Sequence, residues 1–374
     1  MSKKTVYIAL IVCIAGLVLV ITSTNFSFKS NLGPVLTDEP IWFSNIGEQI
    51  ISPPLVYNSQ IFFQTVNALY AIDLHTQKLI WRSDALADEL HIVPLVISDG
   101  IIIVQGKNGT VMAFSEETGG LLWENRLRVY HGTEAALSDA WIEDAEIYNG
   151  IVYIARYSTS LTAYDLHNGE IHWSADVPDR TILVILLDSK NVFLTTSKSI
   201  IQFDSESGRM LHQRVLSTLI HYAIKYDDVF YFAMSSDEGI SVFALNARTL
   251  DEKWARPSKE LSLSEFSGMI IDNDVLYISG DRLIAVSARN GQLLWSGELK
   301  SHYGPPVVSG EKVYIQDRAN IYAYDKVLGV LIGRLPVYSD IPWTFRPNVK
   351  PTVVDGLLIV PSKGGHIYGY KLGD

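Results

Sequence analysis

One phrase recurs along the chain. At residues 161–173 it reads LTAYDLHNGEIHW, and altered copies stand about forty residues apart on either side. Aligned on one small residue, the copies bring Ala71, Ala113, Ala163, Gln202, Ala244, Ala285, Ala323 and Gly369 into register, at spacings of 38 to 50 residues. Ten residues beyond each of the first seven stand Trp81, Trp123, Trp173, His212, Trp254, Trp295 and Gly333. Five of those seven are tryptophan in a chain that has only 8, so the repeat is structural and not compositional. The eighth copy would carry its tryptophan past Asp374. At the other end, Trp42 lies 39 residues before Trp81 with no repeat in front of it. The N-terminal strand is therefore expected to complete the last copy, which is how a ring fastens itself.

Within a copy the sequence reads as four short strands. In the sixth, GMIIDN, VLYIS, RLIAVS and QLLW are separated by turn residues. Dipeptides such as Asp99-Gly100, Asn149-Gly150, Asn168-Gly169, Asn290-Gly291 and Asp355-Gly356 mark tight hairpins, where glycine supplies a positive φ. Asp73, Asp165, Asn246 and Asp325 can bond the amides of their own turns. No amphipathic helical stretch is evident after the N-terminal segment. Eight four-stranded copies with swapped closure predict an all-β, eight-bladed β-propeller over residues 39–374. A solenoid would not need Trp42 to complete its last copy.

The pattern A-[YF]-D-x-x-[TN]-G-x-x-x-W resembles the quinoprotein-type (PQQ-like) propeller repeat, in which the tryptophan packs between neighbouring blades. The resemblance implies structural, blade-docking roles for Trp42, Trp81, Trp123, Trp173, Trp254 and Trp295, and a different packing where His212 and Gly333 replace the tryptophan. Two groups share this repeat. The quinone-cofactor dehydrogenases are usually much longer, and many carry adjacent cysteines, a calcium site and an aspartate base. Here the one cysteine is Cys13, and no catalytic position can be matched. The other group is BamB-like: this length, one eight-bladed domain, an N-terminal membrane attachment and no cofactor. The segment 132–173 has the look of its third and fourth blades. The resemblance thus implies a non-catalytic protein-interaction scaffold of the cell envelope, with no cofactor and no catalytic or metal-binding residues. The alternative is a propeller that binds a small ligand or PQQ in its channel, including a quinone-dependent oxidoreductase.

Residues 1–24 are a separate matter. Lys3 and Lys4 precede a run from Val6 to Ile21 without a charge, about 24 Å of helix at ~1.5 Å per residue. Flanking threonines extend it towards the ~20 residues that a bilayer requires. A signal anchor or transmembrane helix is expected, with the N-terminus cytoplasmic and the body periplasmic or extracellular. Small residues near Ser23 leave a cleaved secretory peptide open. A lipoprotein signal fits less well, because Val12 precedes Cys13 and the apolar run continues beyond it. Residues 25–38 carry Pro, Gly, Ser and Asn without a period and read as a linker.

With 41 acidic against 30 basic residues the net charge is −11, and the three lysines of residues 1–29 stand without an acid, so the body is more acidic still. That argues against nucleic-acid binding. The nine histidines lack the paired spacing of a zinc site. Acid pairs such as Glu116-Glu117 and Asp227-Asp228 occupy turns and read as solvated. The informative irregularity is loop length. Two connections are long, from Trp123 to Ala163 and from Gly333 to Gly369, and they hold the two remaining tryptophans, Trp141 and Trp343. The first insert also carries Arg126, Arg128 and Tyr130; the second carries Arg334, Tyr338, Phe345 and Arg346. Trp, Tyr and Arg dominate interface hot spots. These nine residues are candidates for binding an envelope or membrane protein. The competing reading is that the two tryptophans cap the propeller's own top. A monomeric ring is expected.

Overall fold

A computed structural model describes residues 34–36, 40–84, 94–106, 110–126, 142–156, 160–178, 182–188, 190–298, 304–316, 320–336, 351–362 and 364–372. The expected N-terminal helix therefore lies outside the described residues. Among the described residues, no helix is long and apolar enough to cross a membrane.

Eight four-stranded antiparallel sheets follow one another in chain order. Seven are built from consecutive strands. The eighth takes three strands from the C-terminal end, Thr352–Val354, Leu357–Pro361 and His366–Lys371, and its fourth from Trp42–Asn45. That strand pairs antiparallel with His366–Lys371, Trp42 opposite Gly369. The ring closure expected from the repeat is thus the observed one. The first strand of each blade lies innermost, beside the first strands of its neighbours. The one helix among the described residues is the single turn Ser258–Leu261, between blades five and six.

The hairpins form for local reasons. Asp73, Asp165, Asn246 and Asp325 accept backbone N–H bonds from residues two and three further on, at 2.6–3.1 Å. Asp99-Gly100, Asn149-Gly150 and Asp355-Gly356 have positive φ at both positions, the primed turns whose twist matches the strands. In all eight blades the docking position lies opposite the small residue of the preceding strand, as Ala71 faces Trp81 and Ala323 faces Gly333. The core is correspondingly divided: apolar clusters form between adjacent blades, not at one centre.

Five junctions are built alike. The indole Nε1–H of Trp81, Trp123, Trp173, Trp254 and Trp295 donates to the carbonyl of Glu116, Leu166, Ser205, Ala288 and Lys326, respectively, at 2.8–3.0 Å. Each acceptor lies in the outer hairpin turn of the next blade. The same turn presents a glycine (Gly119, Gly169, Gly208, Gly291, Gly329) with φ of +67° to +73°, against which the indole lies. A Cβ there would come within 2.4–2.6 Å of the ring. Tryptophan and glycine are therefore one unit split between two blades.

The three remaining junctions depart together at both halves. Where His212 replaces tryptophan, the partner glycine is Leu250, which is buried and fills the junction while His212 is exposed. Facing Trp42, the first turn has Gln77 at φ +57°, so the usual place of the indole is blocked by a side chain. Trp42 instead lies over Gly369, where a Cβ would meet the ring at 2.3 Å. Beyond Gly333 no hairpin turn of this kind stands among the described residues, because the eighth blade takes its outer strand from Trp42–Asn45. Residues 34–36, within the stretch read as linker, occupy that place. Leu36 N donates to Arg334 O at 2.9 Å, Arg334 N donates to Pro34 O at 2.8 Å, and Val35 bridges Arg334 in parallel. A Cβ on Gly333 would come within 2.6 Å of Leu36 Cδ2.

Candidate interaction surface

The connections from outer to inner strands rise on one face of the ring. Strand Leu121–Arg126 ends and Ile142–Tyr148 begins at the feet of the first long loop. Strand Leu331–Pro336 and strand Thr352–Val354 stand at the feet of the second. Both loops therefore leave the same face, three blades apart. Arg128, Tyr130, Trp141, Tyr338, Trp343, Phe345 and Arg346 lie outside the described residues. Arg126 closes its strand, and its side chain also lies outside them. Arg334 is described and is engaged inside the propeller: its backbone holds residues 34–36 and its Nη1 donates to Asn320 Oδ1 at 2.6 Å.

Between those two feet the structure places a polar cluster that no motif announces. Glu48 lies on the connection from the closing strand to blade one. Its Oε1 accepts from Tyr70 Oη at 3.1 Å and Arg82 Nη2 at 2.9 Å, and its Oε2 accepts from Thr65 Oγ1 at 2.8 Å and Asn67 Nδ2 at 3.3 Å. Arg82 also donates to Tyr70 Oη at 2.9 Å and pairs with Asp84 at 2.7 Å. Burial pushes the Glu48 carboxyl up, but the hydrogen bonds from Thr65, Tyr70 and Asn67 and the charge of Arg82 outweigh it and hold it below its ordinary value. The backbone of this connection also packs on Gly365, where a Cβ would meet Glu48 O at 2.5 Å. The cluster clasps blades eight and one together. Tyr70 and Arg82 are cross-strand partners one step from the Ala71–Trp81 pair, so that half was readable from the repeat register.

Among the described residues, the innermost strands carry a few ionisable groups with displaced pKa values. Asp144 Oδ2 accepts from Ile185 N at 2.7 Å and so joins blades three and four. Glu146, two residues on, has its carboxyl pushed up to about 7 by burial. Burial lowers His221, while burial and then the charge of Asp144 raise the Tyr222 hydroxyl. Among the described residues, no group of three or more His, Cys, Asp or Glu is placed to hold a metal ion. Glu116 corrects the reading of its acid pair as solvated. It is buried and accepts from Asn58 Nδ2 at 3.0 Å, because the turn that receives Trp81 is pressed against blade one.

Comparison with known proteins agrees with this frame. The chain is 29% identical over 188 residues to the outer membrane protein assembly factor BamB of Yersinia pestis, covering 48% of this chain and 46% of that protein. It thus spans about half the length of the curated relatives it matches. The crystal structure of BamB from Moraxella catarrhalis superposes with a TM-score of 0.69 at 16% identity, over 89% of this chain and 99% of that one. A quinohemoprotein alcohol dehydrogenase from Comamonas testosteroni superposes with a TM-score of 0.67 at 13% identity, over 88% of this chain and 76% of that one. At such identities both likenesses concern the fold. The family model described as outer membrane protein assembly factor BamB matches residues 35–141 and 145–332, and on that match the chain belongs to the BamB family.

Proposed function

We propose that the chain is a membrane-anchored propeller, held outside the cytoplasm by residues 1–24, that acts as a non-catalytic scaffold for a protein partner of the cell envelope. The observation that carries this reading is the family match over most of the propeller, to proteins named as assembly factors. Two features support it. The ring is stiffened by repeated interblade docking, so the strands at the feet of its long loops are held at fixed separations. The two longest connections, with their Trp, Tyr and Arg residues, leave one face of that ring. Arg126, Arg128, Tyr130, Trp141, Tyr338, Trp343, Phe345 and Arg346 form the proposed contact set, and no cofactor is required. Arg334 is left out of this set because it is engaged with Asn320 and residues 34–36.

The test is cross-linking from membranes, comparing the native chain with a Trp141→Ala/Trp343→Ala variant confirmed as folded by circular dichroism. Envelope proteins captured by the native chain should be lost from the variant. An unchanged set of partners would move the contact elsewhere on the ring. An empty set from both would favour the second reading, a small ligand held in the channel.

A further inference from the structure

The outer hairpin turn occurs seven times with the same backbone, so its tips can be compared directly. The two tip residues are His75-Thr76, Glu117-Thr118, His167-Asn168, Glu206-Ser207, Arg248-Thr249 and Arg289-Asn290 in blades one to six. In blade seven they are Val327-Leu328. The residue after the glycine position is Lys78, Gly120, Glu170, Arg209, Asp251 or Gln292 in the first six, and Val330 in the seventh. Val327, Leu328 and Val330 are 70%, 67% and 55% exposed. Nothing about the turn demands this, since Asp325 caps it as the equivalent residues cap the others. Three large apolar side chains at one solvent-facing tip mark a contact surface.

The same blade receives residues 34–36. They run parallel to strand Leu331–Pro336, so Pro34 stands at the end of that pairing nearer the turn. Ile41 and Phe43 on blade eight, 60% and 55% exposed, lie at the neighbouring outer edge. Residues 25–33 span at most about 30 Å by any path. If residues 1–24 enter a bilayer, blade seven is therefore the part of the ring tied closest to it.

We propose that the blade-seven tip of Val327, Leu328 and Val330 inserts into the lipid surface beside the point where the chain enters the membrane, and so fixes the tilt of the ring. This rests on the membrane-anchored reading above. The attraction is apolar, not electrostatic. Lys326, next to the tip, is already paired with Asp272 at 3.2 Å and Glu311 at 3.8 Å, so the contact should not need anionic lipid.

The experiment uses the full chain in phosphatidylcholine vesicles. In a Cys13→Ser background, single cysteines are introduced by Leu328→Cys, or by Asn168→Cys at the same turn position on the opposite blade. Both carry an environment-sensitive fluorophore. Flotation reports attachment, and brominated lipid reports depth. Attached chains should show several-fold stronger quenching at 328 than at 168, unchanged by salt. A label at Glu311→Cys should lose its quenching when Val327, Leu328 and Val330 are all changed to serine, with attachment kept. Gly333→Trp, which fills the place of Leu36, should also weaken quenching at 328 while the ring stays folded. Equal quenching at both positions in attached chains overturns the inference and leaves the anchored reading standing. Failure to float overturns both. Shielding of the 328 label in detergent without lipid would assign the tip to a second copy of the chain, and would also overturn it.

Discussion

A glycine at +70° is ordinary in a turn, but at Gly169 the reason is a neighbour. The indole of Trp123 lies where a Cβ would come within 2.6 Å, and its Nε1–H is bonded to Leu166 O in that same turn. Gly169→Ala should cost about 2–4 kcal/mol, a left-handed alanine contributing about 1 and overpacking about 1–3. In a Trp123→Ala background only the backbone part should remain, giving a coupling of about 1–3 kcal/mol in a urea-denaturation double-mutant cycle. Equal costs in both backgrounds would mean that the two residues are independent. A second residue-scale prediction concerns Glu146. Its carboxyl lies at about 7 in the folded chain against an ordinary 4.5, so the folded state holds a proton that the unfolded state has released. Its contribution to stability is complete below pH 4.5 and is lost as pH rises through 7, by up to about 3 kcal/mol. Glu146→Gln should flatten stability across that window, as read from denaturation midpoints at several pH values. A slope unchanged by the substitution would assign the pH dependence to other groups.

At the scale of the element, the exceptions explain one another. Gln77 blocks the place where Trp42 would dock, and Gly369 provides the space that Trp42 uses instead. Gly369→Ala should therefore destabilise the closing strand by about 1–3 kcal/mol. Adding Gln77→Gly should recover part of the loss, by reopening the docking place found at five other junctions. Loss without recovery would show that Trp42 is held by more than this exchange. The strands, the tryptophan-to-alanine register and the closure were legible in the sequence, because each rests on residue identity at a fixed offset repeated many times. The seating of residues 34–36 was not, since three residues carry no period and their place is made by an absence, the missing side chain of Gly333. The Glu48 cluster was equally silent. Its members come from the closing connection and from one turn and two strands of blade one, and only the Tyr70–Arg82 pair follows from the repeat. Arg334 read as a loop residue because it follows the last repeat position closely, whereas its strand continues to Pro336.

For the whole molecule the decisive contact joins the two ends of the sequence. Strand Trp42–Asn45 meets strand His366–Lys371 across more than three hundred residues, and no disulfide backs it up, since the one cysteine is Cys13. Closing so long a loop has a large entropic cost, but that cost rises only slowly with length, so a short strand with one large aromatic can offset much of it. The ring is then as stable as its clasp: the strand pairing, Trp42 over Gly369, Leu36 beside Gly333 and the Glu48 hydrogen bonds. Removing residues 1–45 deletes the first three and leaves every other junction whole. The truncated chain should keep its β-sheet signal by circular dichroism, yet lose about 3 kcal/mol or more of stability, the scale of one large aromatic side chain. Proteolysis should then begin within residues 350–374, whose outer partner is gone. Because the missing strand is held without a covalent bond to its neighbours, a peptide of residues 33–46 added in trans should restore the melting temperature in a saturable way. A control peptide with Trp42→Ala should restore it only weakly. A truncated chain that melts like the native one would mean that the six remaining junctions suffice, and that the clasp serves placement of the anchor more than closure of the ring.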